Sequence, residues 1–344
     1  MAKRVRPIRV GIADVAKQAG VSLATVSRVM NGNFSVDPEI AERVRAAATE
    51  LKYQPNPMGR NLARGKTDTI GVVVPDLGNP TFQGVLRGVS RAAAQDGYRV
   101  LIADSSEVSS EEAVLAGEAR RRCDGVVLCA PRMSAAELEE LAPSLHPMVL
   151  VNRSTEAPGN PSVMVDYGRG IQDLATHLAG LGHTKIAYVA GPESSASNAL
   201  RLAGLELFQQ THPHVDLVIL HNGSTFEDGH ESTGDVVASG ATGILAFNDL
   251  TAMGLLSGLN ERGVKVPEDI SVTGFDDIPF ARFTTPPLTT AAVPIMDVGE
   301  HAWQQMRDLL NGTDSADSLR VFEPHIVVRG STGVPAKITA STPE

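Results

Sequence analysis

Residues 19–32 read AGVSLATVSRVMNG. Gly20 permits a turn, Ser22 suits the cap of a helix, and Val26 and Val29 fall on one face of that helix. Just upstream, Ile12, Val15, Ala16 and Ala19 share a helical face. Two short helices around a glycine-containing turn, with small residues where they would cross, predict a helix-turn-helix. NGNFSV (31–36) reads as a loop. Asp37 and Pro38 then open a third helix, an aspartate cap followed by a first-turn proline whose missing N–H costs nothing. Ile40, Val44, Ala47 and Leu51 continue it at spacings of 4, 3 and 4.

In such a motif the second helix enters a major groove and its N-terminal part meets base edges. Its outward positions here are Leu23, Ala24, Ser27 and Arg28. Arg28 carries the fork that matches guanine, whereas Leu23 and Ala24 offer only packing against thymine methyls. The charge distribution agrees. Residues 1–66 hold 12 Lys+Arg and 5 Asp+Glu, while the remainder holds 18 and 35, so a basic end precedes an acidic body in a chain of net charge -10. That split is expected where only one end meets a polyanion.

Between the helices and the body lies PNPMGRNLARGK (55–66). MGRNLAR is long enough for about two helical turns, too short to persist alone in water. Arg60, Arg64 and Lys66 surround a lone apolar Leu62. The segment reads either as a plain linker or as a helix formed against DNA, with Leu62 wedged between base steps in the minor groove.

From Thr69 the rhythm changes. TIGVVVP, a helix over 80–96, YRVLIAD, a helix over 109–122, DGVVLCA, a short helix and PMVLVN form a βαβαβα series. A second series starts near Val163, with helices at 167–181, 196–210, 227–239 and 249–262 between the strands KIAYVAG, VDLVIL, GILAF and DISVTGF. Such alternation predicts parallel sheets covered on both faces. The fold class is therefore α/β: a three-helix headpiece and hinge helix, then two doubly wound parallel-sheet lobes. The alternation sets a helical start apart from two lobes.

Ligands bind beyond the carboxyl ends of strands in open α/β sheets. Those ends carry Asp76, Asn79, Asn152, Arg153, Gly191, Asn248, Asp276 and Asp277, which two facing lobes would gather into one cleft. Asp249 reads as a helix cap and Asp277 as a cap of the next turn. Enzyme signatures are missing: there is no G-x-x-x-x-G-K-[ST], G-x-S-x-G, H-E-x-x-H or C-x-x-C. His212 and His214 read as surface residues. No catalytic residue, metal or cofactor is expected. Cys123 and Cys129, at the ends of one apolar run, read as reduced core thiols. No apolar run reaches the roughly 18–20 residues of a membrane span, and no apolar segment of a signal peptide follows the basic start, so the expected location is the cytoplasm.

The segments IADVAKQAGVSLATVSRVMNG, YQPNPMGRNLARGKTDTIGVVVPD, FNDLTAMG, ISVTGFDDIPFARFTTPPLTT and VVRGSTG, in this order and spacing, resemble the LacI/GalR family of bacterial transcription repressors over nearly the whole chain. The resemblance implies a periplasmic-binding-protein-like effector body and a homodimer, or a dimer of dimers, on a pseudo-palindromic double-stranded operator. The divisions it implies are a headpiece at 1–54, a hinge at 55–67, a first lobe from 68–165 with 294–322, and a second lobe from 166–293 with 323–344. Leu23, Ala24 and Arg28 then take the base-reading positions and Leu62 the hinge lever. Ser22, Thr25, Ser27, Asn31 and Tyr53 are phosphate-positioning candidates. The implied effector positions are Asp76, Asn79, Phe82, Arg201, Phe226, Asn248 and Asp276, with Asn152 and Arg153 as further candidates.

That set suits a sugar, with carboxylate and amides for hydroxyls, a guanidinium fork and aromatic faces. A nucleobase-type corepressor, or no effector, fits the same plan. A pure sugar-binding protein and a cytoplasmic enzyme are the rival classes. The chain departs from the family pattern at Gly11, where a threonine cap is usual, and at Gly59, where alanine is common. It is also short between the 196–210 helix and VDLVIL.

Overall fold

Gly20 ends the first helix of the chain in the left-handed region, at φ +63. In the computed structural model, which describes residues 10–30, 36–53, 65–221, 223–313 and 318–335, this helix is α1 (Ile12–Ala19). It is followed by α2 (Leu23–Met30) and α3 (Pro38–Glu50). A glycine is needed at 20 because a side chain there would meet the left-handed steric penalty. Gly11 offers α1 no cap, so the helix start is closed in reverse: the Gly11 N–H donates to Asp14 Oδ2 at 2.8 Å. Ser22 Oγ accepts the N–H of Thr25 at 3.1 Å. Asp37 accepts those of Glu39 and Ile40. The core holds Val15, Ala16 and Ala19 of α1, Val26 and Val29 of α2, and Ala41, Val44, Ala47 and Ala48 of α3. Ile40 and Leu51, expected inside, are only half-buried, because the small face through Ala41 and Ala48 lets α3 approach its neighbours.

The chain divides into two compact units, Met1–Thr67 and Asp68–Glu344. The second holds two six-stranded sheets. The first sheet is built from β1 (Thr69–Val74), α4 (Pro80–Gln95), β2 (Arg99–Asp104), α5 (Ser109–Arg122), β3 (Gly125–Cys129), α6 (Ala135–Leu145), β4 (Met148–Val151) and β5 (Ser162–Val165). The second is built from α7 (Tyr167–Gly180), β6 (Lys185–Ala190), α8 (Ala196–Thr211), β7 (Asp216–His221), α9 (Phe226–Glu231), α10 (Thr233–Ser239), β8 (Gly243–Ala246), α11 (Asp249–Glu261), β9 (Ser271–Asp276) and β10 (Thr289–Ala292). Then α12 (Ile295–Asn311) returns to pack on α4, β11 (Leu319–Phe322) pairs with β5, and β12 (His325–Val327) pairs with β10.

The strand orders are β11-β5-β4-β3-β1-β2 and β12-β10-β9-β8-β6-β7. All pairings are parallel except β10 with β12. Alternating residues explain the layers. On β1 and β3, Ile70, Val72, Val74, Val127 and Cys129 face one helical layer, while Val73, Val126 and Leu128 face the other. A strand covered on both sides must be apolar throughout, which is why these runs show no polar alternation. Both cysteines are free and buried, and burial pushes the Cys129 thiol up to about 12.

Two elements depart from expectation. The edge strand β2 leaves Leu101 and Ile102 well exposed rather than buried. The expected helix over 227–239 is two helices, α9 and α10, divided at Ser232. There the Asp228 carbonyl accepts both the Ser232 N–H at 3.0 Å and the Ser232 hydroxyl at 2.7 Å, a back-bond of the kind that bends helices.

Candidate functional sites

The cleft lies at the carboxyl ends of both sheets. From the first sheet, Asn79 caps α4 by accepting the N–H of Thr81 at 2.9 Å. This aims the Thr81 side chain across the cleft, where its hydroxyl donates to Asp276 Oδ2 at 2.7 Å. Asp276 ends β9 at φ +106 and Asp277 follows at φ +56, two successive non-glycine residues in disfavoured backbone. Burial pushes the Asp276 carboxyl up to about 6, against the opposing pull of Arg201 and the Thr81 bond.

Arg201 reaches in from α8 and is 2% exposed. Its guanidinium carbon sits 4.2 Å from the ring centroids of Tyr167 and Phe275 and 4.5 Å from that of Phe247. One nitrogen donates to the Ser197 carbonyl at 3.2 Å, while the buried Nε has no partner. A cation among aromatic faces is favourable, yet an unsatisfied buried donor is costly. A hydroxyl or carbonyl of a bound molecule would satisfy it.

The opposite wall carries Arg132. Glu107 holds its guanidinium in a two-pronged pair at 2.6 and 2.8 Å. Buried Glu112 accepts the backbone N–H groups of Arg132 and Met133 at 2.6 and 2.8 Å. Two carboxylates thus fix the loop after β3. About 30 Å³ of the cleft admits the centre of a water molecule. That is far below the roughly 300–1,000 Å³ of small-molecule sites, because side chains of the two lobes meet directly across the cleft.

Of the expected effector residues, Asn79, Phe82, Asn152, Arg201, Asn248 and Asp276 line this cleft. Two asparagines are committed to its shape. Asn152 accepts from Val165 N–H and donates to the Tyr167 hydroxyl. Asn248 caps α11 through Thr251 N–H and donates to the Ser224 carbonyl. Asp76, Arg153 and Phe226 are not among the lining residues. Asp76 accepts the Gly78 N–H in its own turn, Arg153 donates to the Met133 carbonyl, and Phe226 is exposed at the start of α9.

The expected cap at Asp249 is a correction: Asn248 is the cap. Asp249 is wholly buried and holds Ile278 N–H at 2.8 Å and the Thr290 hydroxyl at 2.6 Å. Asp277 pairs with Arg329 at 2.6 Å.

In the headpiece, α2 turns Val26 and Val29 inward and exposes Leu23, Ala24 and Arg28. Leu23 is 52% exposed. Ser22 and Thr25 share a hydrogen bond at 2.9 Å, and Thr25 and Ser27 are half-buried. Tyr53 packs against the headpiece core. Asn31 and Leu62, with most of the 55–67 hinge, lie outside the described residues. Among the described residues no cluster of metal-ligating side chains occurs, and no helix is long and apolar enough to cross a membrane.

Residues 11–56 match the model for bacterial regulatory proteins of the lacI family, and residues 175–332 match a periplasmic binding protein-like domain. The HTH-type transcriptional repressor CytR of Escherichia coli (strain K12) is 34% identical over 324 residues, covering 93% of this chain and 95% of that relative. The chain belongs to the lacI family. Within the family, a lac repressor dimer solved with operator and the anti-inducer ONPF superposes with a TM-score of 0.84 at 27% identity, covering 94% of this chain and 99% of the other. A LacI family regulator from Enterococcus faecium with bound ribose gives 0.70 at 28% identity, covering 77% and 99%.

Within the lacI family, Thr81, Glu107, Ala130, Arg132, Tyr167, Ser197, Ser224 and Phe247 are the cleft residues that sequence reasoning passed over. Signals for three of them existed. Thr81 and Phe247 adjoin residues already singled out, and Arg132 stands three positions beyond the end of β3.

Proposed function

We propose that this chain is a homodimeric, cytoplasmic transcriptional repressor whose hold on a pseudo-palindromic operator is controlled by a small molecule in the cleft. Its headpiece at 1–54 and hinge at 55–67 contact DNA. A first lobe (68–165 with 294–322) and a second (166–293 with 323–344) bind the effector. The pairing of β11 with β5 and of β12 with β10 supports lobes that exchange chain segments in this way. The effector is a carbohydrate or sugar derivative, a reading favoured by the ribose-bound neighbour and by the donor and acceptor set of Arg201, Asp276 and Asn79.

The observation that carries the reading is the two-sidedness of α2: Val26 and Val29 build the core, and Leu23, Ala24 and Arg28 face outward, exposed. Arg28 reads guanine, and Leu23 and Ala24 pack on methyls. Ser22, Thr25, Ser27, Asn31 and Tyr53 position phosphates, and Leu62 opens the minor groove. An effector that prefers one lobe arrangement shifts operator affinity by its differential binding, typically about 1–3 kcal/mol.

Selection of bound fragments from random duplex DNA tests the proposal. The expected product is a two-fold symmetric site with a G·C pair in each half, whose binding changes when a sugar from a mixed panel is added. Absence of any enriched sequence would overturn it.

A further inference from the structure

The proposal here rests on the cleft being an effector site. Among the described residues, Asp276 is the one carboxylate of the second lobe that lines the cleft, and its Oδ2 is already occupied. The occupant is a hydroxyl from the other lobe. An alcohol O–H donating to a carboxylate at 2.7 Å is the same interaction that a sugar hydroxyl would offer.

Both partners are held in place. Thr81 is fixed at the start of α4 by the Asn79 cap, and α4 cannot slide. It crosses α12 so closely that a Cβ on Gly88 would meet the Met296 carbonyl oxygen at 2.2 Å, and one on Gly299 the Val85 carbonyl oxygen at the same distance. Asp276 is presented by a turn that Asp249 and Arg329 clamp from two sides. Thr81 is 8% exposed and Asp276 5%, so the bond is shielded from water. With this bridge made, only about 30 Å³ of the cleft admits a water centre.

We propose that the Thr81 hydroxyl is a built-in surrogate for an effector hydroxyl: it latches the two lobes through Asp276 and must be displaced for a ligand hydroxyl to reach that carboxylate. The latch sets the effector concentration at which the protein responds. Removing the hydroxyl takes from buried Asp276 its hydrogen bond across the lobes, which destabilises the latched arrangement and favours any ligand that restores the bond.

The test compares wild type, Thr81→Val, which keeps the shape and loses the hydroxyl, and Thr81→Ser, which keeps the hydroxyl. Spin labels on Glu140→Cys in α6 and Glu206→Cys in α8 report lobe separation in the ligand-free full chain, since the native cysteines are buried. Thr81→Val is expected to broaden and lengthen the distance distribution, and Thr81→Ser to match wild type, with thermal midpoints of all three confirming that they fold. An unchanged distribution in Thr81→Val overturns the latch, whatever ligands do.

D-ribose then serves as the probe in titration calorimetry. Thr81→Val is expected to bind it roughly tenfold more tightly than wild type, the fold-change given by one charge-assisted hydrogen bond. Equal or weaker binding overturns the surrogate role. If ribose binds none of the three, the carbohydrate reading is overturned in its favoured form, while the distance measurement still decides the latch.

Discussion

Asp249, the first residue of α11, accepts the backbone N–H of Ile278 at 2.8 Å across 29 positions of sequence. Its second oxygen accepts the Thr290 hydroxyl at 2.6 Å. A wholly buried carboxyl thereby ties together the end of β9, the start of β10 and the left-handed pair Asp276–Asp277. Burial, with the nearby Asp276 charge, holds Asp249 well above the usual carboxylate range. Asp249→Asn keeps the shape and one acceptor oxygen for the Ile278 N–H, and its NH2 can donate to the Thr290 hydroxyl in reverse, so it is expected to cost about 1 kcal/mol. Asp249→Ala strands two buried donors and is expected to cost about 2–4 kcal/mol. Urea denaturation of the two variants distinguishes a positioning carboxyl from an inert one.

Asp276 predicts a pH dependence with a definite sign. Its carboxyl is raised to about 6 from an ordinary 3.8, chiefly by burial. Between those values the folded chain keeps a proton that the unfolded chain releases, so stability declines as pH rises through that window. The contribution is at most about 3 kcal/mol, from roughly 1.4 kcal/mol per unit. Urea midpoints of wild type and Asp276→Asn at pH 4.5 and 6.5 check it: the variant is expected to lose less stability over this interval.

Arg201 separates stability from function. Its charge is buried among rings and its Nε is unpartnered, so the fold gains little from it. Arg201→Met fills the same space and relieves the unpartnered Nε but gives up the ring contacts and the attraction to Asp276, so it is expected to melt within a few degrees of wild type. It is also expected to abolish the ligand-induced shift in melting temperature. A large drop in the ligand-free midpoint would make Arg201 a structural residue.

Gly20 is a backbone requirement only. Nothing lies within 4 Å of a Cβ placed there, and φ is +63. Gly20→Ala is expected to lower headpiece stability by about 1–2 kcal/mol, the left-handed penalty of an L-residue, with no packing component. Calorimetry on the full chain, following the headpiece transition, measures this.

How much of this was legible beforehand follows from what each residue's neighbours are. The strands announced themselves because β1 and β3 are covered on both faces and must be apolar. The headpiece did so because Gly20, Ser22 and Asp37 act on atoms within five positions. The cleft was legible where a residue stands at a strand end, as Asn79, Asn152, Asn248 and Asp276 do. It was not legible where the partner is remote: Glu107 and Arg132 meet across 25 positions, and Thr81 and Asp276 across 195. In the tandem Asn248–Asp249 either residue is able to cap a helix, and only tertiary burial assigns the cap to one and the clamp to the other.

The central claim is that α2 reads operator DNA through Arg28. The most direct measurement is the salt-dependent affinity of wild type and Arg28→Ala for the operator that wild type selects, and for the same operator with the half-site G·C pair changed to A·T. The account predicts that Arg28→Ala weakens binding to the selected operator by about 1–3 kcal/mol and binds both operators alike, while wild type keeps its preference and a steep salt dependence. Wild-type and Arg28→Ala affinities that coincide on both operators at matched salt would contradict it.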